Sequence, residues 1–116
     1  MPATKKSIWI SYDLGLKGDF AALYAWLDNH NAIECGHGLA FLNYQSNSTT
    51  SEGFLMEIKD DLSKNVNLSP SDRMYLIWKE FGKPGIKGIF INGSRKQPPW
   101  EGYGKKGQTS APDISE

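Results

Sequence analysis

Two aspartates bracket a glycine-punctuated stretch near the amino terminus, "YDLGLKGD". Asp13 closes a run in which Ile8, Ile10 and Tyr12 alternate with Trp9, Ser11 and Asp13, the period of a β-strand. A carboxylate at a strand end is a hard oxygen donor of the kind Mg²⁺ takes while keeping several waters. An ion held there would activate water and neutralise charge on a scissile phosphate. The same carboxylate can instead bond the backbone of the turn that follows. Ser11 shares its strand face, which sets a hydroxyl on the same side. Asp19 stands before an apolar, alanine-rich run and reads as a helix cap, its carboxylate accepting from free N–H groups of the first turn.

The remaining chemistry-bearing residues are sparse. Cys35 and His37 lie in "ECGHG", but the only other histidine is His30 and there is no second cysteine, so a four-ligand zinc set is missing. His37 as a general acid or base, and a Cys35–His37 nucleophile pair, stand beside the plainer reading of a turn histidine. "LGLKG" lacks the glycine spacing and the Lys-Ser/Thr pair of a phosphate loop. Nearer the carboxyl end, "GSRKQPPWEGYGKK" combines Arg95, Lys96, Lys105 and Lys106 with Trp100 and Tyr103. Basic groups neutralise phosphates and aromatic rings stack on unpaired bases, the mixture that grips a single-stranded nucleic acid. The alternative is that Pro98 and Pro99 stiffen the chain while Trp100 packs on the domain or on a second copy.

The elements that must position these residues follow from periodicity. The first strand leads through "LGLKGD" into the helix "FAALYAWLDNH", with Phe20, Leu23, Tyr24 and Leu27 on one face. Two strands, Ala32 to Cys35 and Leu39 to Tyr44, flank a Gly-His-Gly turn. In "QSNSTTSEG", Thr49 and Glu52 have capping-box spacing. The second helix carries Leu55, Ile58, Leu62 and Val66 on one face. "RMYLIWKE" and "IKGIFING" are two more strands. No internal repeat is visible.

Composition bounds the class. The 116 residues are 39% hydrophobic and 22% charged, a single soluble globular domain by the usual size prior. No apolar run approaches the roughly 20 residues a membrane span needs. One cysteine excludes an intrachain disulfide and points to a reducing, cytoplasmic setting. Thirteen basic residues balance thirteen acidic ones, so any polyanion site must be a local patch. The domain is read as residues 1–94, including an extra strand at 86–92, followed by a flexible Pro/Gly-rich segment over 95–116.

The order strand, helix, strand, strand, helix, strand, plus one extra strand, predicts an α+β fold. It is the ferredoxin-like βαββαβ sandwich, an antiparallel sheet with two helices on one face. With "WISYDL", "HGLAFLN" and "DRMYLIWKE" in that order, residues 7–80 resemble the small CRISPR-associated endoribonuclease of spacer adaptation. They also resemble its VapD-type and SinR-type relatives. The resemblance implies a homodimeric, metal-dependent nuclease acting on RNA or DNA. Asp13 of each subunit would then help hold Mg²⁺ at the dimer cleft. The residues themselves support a second reading: a non-catalytic module that engages a protein or a nucleic acid. It would use the extra strand together with Arg95, Lys96, Trp100 and Tyr103.

Overall fold

The structure is a computed structural model that describes residues 4–104. It is an α+β fold with one five-stranded sheet and two helices. The elements are β1 (Thr4–Asp13), α1 (Phe20–Asn29), β2 (Ile33–Gly36), β3 (Leu39–Ser46), α2 (Ser51–Asn65), β4 (Arg73–Lys79) and β5 (Ile86–Asn92). The strands lie in the order β2-β3-β1-β4-β5, and every neighbouring pair is antiparallel. This arrangement fits a ferredoxin-like fold in general.

Alternation sorts each strand's side chains between two faces. Ile8 and Ile10 of β1, Leu42 of β3, and Met74 and Leu76 of β4 are at most 1% exposed. They meet Leu23 of α1 and Phe54, Ile58 and Leu62 of α2 in one core. Each such side chain contributes roughly 1.5–3 kcal/mol by leaving water. In α2 the buried set Phe54, Ile58, Leu62 and Val66 recurs every four residues; Leu55, expected there, sits at its margin. In α1 the stripe is turned from the expected one. Leu23, Trp26 and Leu27 are buried, whereas Phe20 and Tyr24 are exposed. Trp26 draws the helix round because its indole N–H donates to Asp61 Oδ2 of α2 at 3.2 Å.

Helix starts follow the caps. Asp19 caps α1, its Oδ1 accepting from Ala22 N–H at 3.3 Å, and its Oδ2 also accepts from Asn67 N–H at 3.0 Å. The cap of α2 is Thr50 rather than Thr49: its hydroxyl accepts from Gly53 N–H at 3.1 Å. Position N3 is thus a glycine, and the expected capping box does not form. The β2–β3 connection is the tight turn read from Gly-His-Gly. Gly38 has φ +72°, and a Cβ there would stand 2.7 Å from the Tyr12 carbonyl oxygen. Only glycine lets this turn close onto β1, where Tyr12 N–H donates to Gly38 O at 2.8 Å.

Asp72 ties the loop after β1 to the turn before β4. It is 2% exposed, with Oδ1 accepting from Gly15 N–H at 2.7 Å and Oδ2 from Ser69 N–H at 2.8 Å. Those donors hold its carboxyl below the ordinary carboxylate range despite burial.

Candidate functional site

Asp13 is placed at the end of β1, paired in register with Arg73 at the start of β4. Its carboxylate is largely exposed and lies 3.6 Å from Arg73 Nε. The loop that follows is secured by Asp72, not by Asp13. Ser11 lies on the same face, two residues back, between Leu39 and Tyr75. A guanidinium beside a lone carboxylate competes with a cation for it. Among the described residues, no group of three His, Cys, Asp or Glu side chains is placed to hold an ion. Within one chain Asp13 offers a single carboxylate, with the Arg73 guanidinium beside it.

Cys35 and His37 are both exposed at the β2–β3 turn. The Cys35 thiol turns back to its own strand, with Sγ 3.5 Å from the Ile33 carbonyl oxygen, so the pair does not assemble. His30 instead belongs to a half-buried polar cluster. Asp61 Oδ2 accepts from Tyr44 Oη at 2.8 Å and lies 3.7 Å from His30 Nε2. Asp61 Oδ1 accepts from Asn65 Nδ2 at 2.9 Å. This cluster locks α1 to α2 and β3, a structural duty.

The basic and aromatic residues past β5 are displayed. Arg95 and Lys96 are exposed, and Trp100 and Tyr103 are 72% and 86% exposed. The packing of Trp100 on its own domain, weighed from the sequence, does not occur. Residues 98–103 form two successive turns, with Glu101 N–H donating to Pro98 O and Tyr103 N–H to Trp100 O. The Arg95 guanidinium lies over the Phe90 ring, 5.6 Å from its centroid, and Arg73 lies over the same ring at 5.6 Å. The segment thereby joins the margin of the sheet. Lys105 and Lys106 lie outside the described residues.

That margin opens onto a surface the sequence reading did not single out. Both helices cover one face of the sheet; the other carries Trp9, Phe41, Tyr75 and Phe90. Trp9 and Phe41, on adjacent central strands, are paired in register with ring centroids 5.0 Å apart. Tyr75 and Phe90, on β4 and β5, are likewise paired at 4.8 Å. Alternation alone could have found these residues, because each sits between inward-facing neighbours on its strand.

Charge divides the same way. By strand parity the open face carries Lys5, Arg73 and Lys79 against Asp13 alone, with Arg95 at its rim. The two helices carry five acidic residues and two lysines. A chain with zero formal charge thus has a cationic, aromatic face and an acidic back. No helix among the described residues is long and apolar enough to cross a membrane. No protein-family model, curated protein or solved structure matches the chain.

Proposed function

We propose that this chain is a non-catalytic module that binds single-stranded nucleic acid along the margin formed by β5 and the segment after it. The observation that carries the reading is the joint placement of Arg73 and Arg95 over Phe90. Arg95 and Lys96 lead from there to the exposed rings of Trp100 and Tyr103. Guanidinium groups held over an aromatic face set positive charge where phosphate oxygens can approach, and Arg73 Nη1 also donates to the Ser94 carbonyl oxygen at 3.2 Å. Exposed indole and phenol rings beside them supply stacking surface to unpaired bases.

The nuclease activity implied by the resemblance depends on Asp13 as a Mg²⁺ ligand, and the Arg73 guanidinium beside that carboxylate disfavours a cation there. Binding without cutting is the better account of the same corner. The finer assignment of the fold, a ferredoxin-like sandwich with one added strand, belongs to this proposal. So does the homodimer. β2 is the sheet's other edge strand, away from that margin, with Ile33 exposed. Such an edge pairs readily with a second copy, which would leave the open sheet face accessible.

Fluorescence anisotropy with a labelled single-stranded RNA, measured across a salt series, tests the reading. Binding should weaken with salt at a log–log slope of about −0.7 per phosphate neutralised. Replacing both Arg95 and Lys96 by alanine should lower that slope by up to about 1.4, two phosphate contacts' worth. No binding at low salt, or a slope untouched by the double replacement, would overturn it.

A further inference from the structure

The uncovered face of the sheet continues from that margin, and its side chains run in two cross-strand rows. One row reads Ile33, Phe41, Trp9, Ile77 and Gly88 across all five strands; the next places Leu39, Ser11, Tyr75 and Phe90 side by side. The aromatic members form two pairs, Trp9–Phe41 on the central strands and Tyr75–Phe90 at the β5 side. We infer that these pairs are two base-stacking stations for one strand of RNA or DNA; the inference rests on the reading above and extends it to the middle of the sheet.

Three observations select this occupant. First, the rings reach the surface: Trp9 is 37% exposed, although Ile8 and Ile10 on either side of it are sealed in the core, and Phe41, Tyr75 and Phe90 are half-buried. Second, the surroundings suit a polyanion. Lys5, Lys79 and Arg73 share the face by strand parity, with Arg95 at its rim, and Asp13, the one acid on the strands of that face, lies beside Arg73. Third, hydrogen-bonding groups stand next to the first station. Ser7 Oγ donates to Asn43 Oδ1 at 2.9 Å, leaving the Asn43 amide N–H groups as donors toward a base edge.

A second copy fits the face less well. Two copies packed sheet to sheet across a two-fold axis present the same patch to each other. That packing would bring two faces of the same positive sign together, and like-charge juxtaposition costs several kcal/mol in an interface.

The stations are two strands apart across the sheet and one pleat apart along it. With strands about 4.8 Å apart and about 6.7 Å per two residues, their separation is roughly 12 Å. A strand of nucleic acid would therefore cross the sheet diagonally, from the Arg73–Arg95 corner toward Asn43, with separate bases on the two stations.

The test uses a fluorescein-labelled twelve-nucleotide oligouridine, its abasic counterpart of equal phosphate number, and the whole chain. Wild type should bind the oligouridine more tightly than the abasic strand. Trp9→Ala and Phe41→Ala should each weaken oligouridine binding on the order of tenfold or more, with the abasic strand unaffected and Trp9→Phe largely restoring affinity. Should an alanine variant fail to fold, photocrosslinking wild type to 5-iodouridine RNA and mapping the adduct supplies the same answer; adducts at Trp9 or Phe41 support the stations. Oligouridine binding with both alanine variants within twofold of wild type, or adducts confined to Trp100 and Tyr103, overturns the stations and leaves the margin reading standing. Failure of wild type to bind any strand at low salt overturns both. A dimer that falls apart in Trp9→Ala by light scattering assigns the face to a second copy and overturns the inference.

Discussion

The ring of Tyr75 occupies the space that a side chain at position 88 would need. A Cβ on Gly88 would stand 2.5 Å from the Tyr75 hydroxyl oxygen and 2.7 Å from Cε2. Gly88 lies opposite Ile77, two residues along β5 from the Phe90 that Tyr75 pairs with. The missing side chain lets the phenol lie across β5 with its edge against Phe90, rings 72° apart. A residue that looks like a weak point in an edge strand therefore sets the pose of an aromatic pair.

Gly88→Ala should separate pose from stability. The atoms displaced belong to the far end of a side chain that can rotate away, so the fold changes by no more than about 1 kcal/mol. The Tyr75–Phe90 pair would be disturbed, and affinity for single-stranded oligouridine should fall severalfold while the melting temperature moves by only a few degrees. A melting temperature that drops steeply while binding holds would show that Tyr75 serves the fold and not the surface.

Asp72 should behave as a buried structural carboxylate. Asp72→Asn puts an amide against two N–H donors, from Gly15 and Ser69, that now meet carboxylate oxygens. At least one is left unsatisfied, a loss of about 1–3 kcal/mol by chemical denaturation. Its folded pKa is depressed, so the folded state holds the charged form more readily than the unfolded chain does. That contribution is present above the unfolded value of about 4 and is lost as pH falls through the lower folded value. Wild-type stability should therefore decline below about pH 4 more steeply than that of Asp72→Asn.

The sequence carried the layers and connections further than it carried the surface. Period-two alternation in "SIWISYD" separates Ile8 and Ile10 from Trp9, Ser11 and Asp13, because side chains cannot cross the pleat and one face of the strand is buried. The stripe of α1 was less legible. Phe20, Leu23, Tyr24 and Leu27 satisfy helical spacing as well as Leu23, Trp26 and Leu27 do. The choice was made by a tertiary contact, the Trp26 indole on Asp61. Nothing local signalled that Asp13 would meet Arg73, sixty residues on in the sequence, since that pairing is a matter of strand register. Trp9 and Phe41 fall on one side of their strands by alternation, but alternation does not report which side of the sheet the helices cover.

Asp13→Ala should change little in the fold. The pair with Arg73 is solvent-exposed on the carboxylate side, and such pairs contribute about 1 kcal/mol or less. With labelled single-stranded RNA and double-stranded DNA in Mg²⁺ or Mn²⁺, wild type and variant should both leave the substrates intact. Removing the acid from a cationic face should slightly tighten RNA binding at low salt, an effect that fades as salt is raised. Metal-dependent cleavage by wild type that disappears in the variant would restore Asp13 as a ligand and remove the non-catalytic reading.

The Tyr44–Asp61 bond gives the fold an alkaline limit. Tyr44 is 4% exposed, and its hydroxyl donates to Asp61 Oδ2 at 2.8 Å. Burial, and then the adjoining carboxylate, push its phenol well above the ordinary value near 10. The folded state therefore retains the proton more tightly than the unfolded chain. That contribution is complete below about pH 10 and is lost as pH rises toward the folded value. Tyr44→Phe removes the titrating group and also frees the acceptor, so it should cost about 0.5–1.5 kcal/mol at neutral pH while flattening the alkaline decline. Asp61→Ala should cost more, because it strands the Tyr44 hydroxyl and the Trp26 indole N–H together in the core margin. Denaturation curves at pH 7 and pH 10.5 for the three proteins check both statements. Equal alkaline losses in wild type and Tyr44→Phe would show that another group sets the limit.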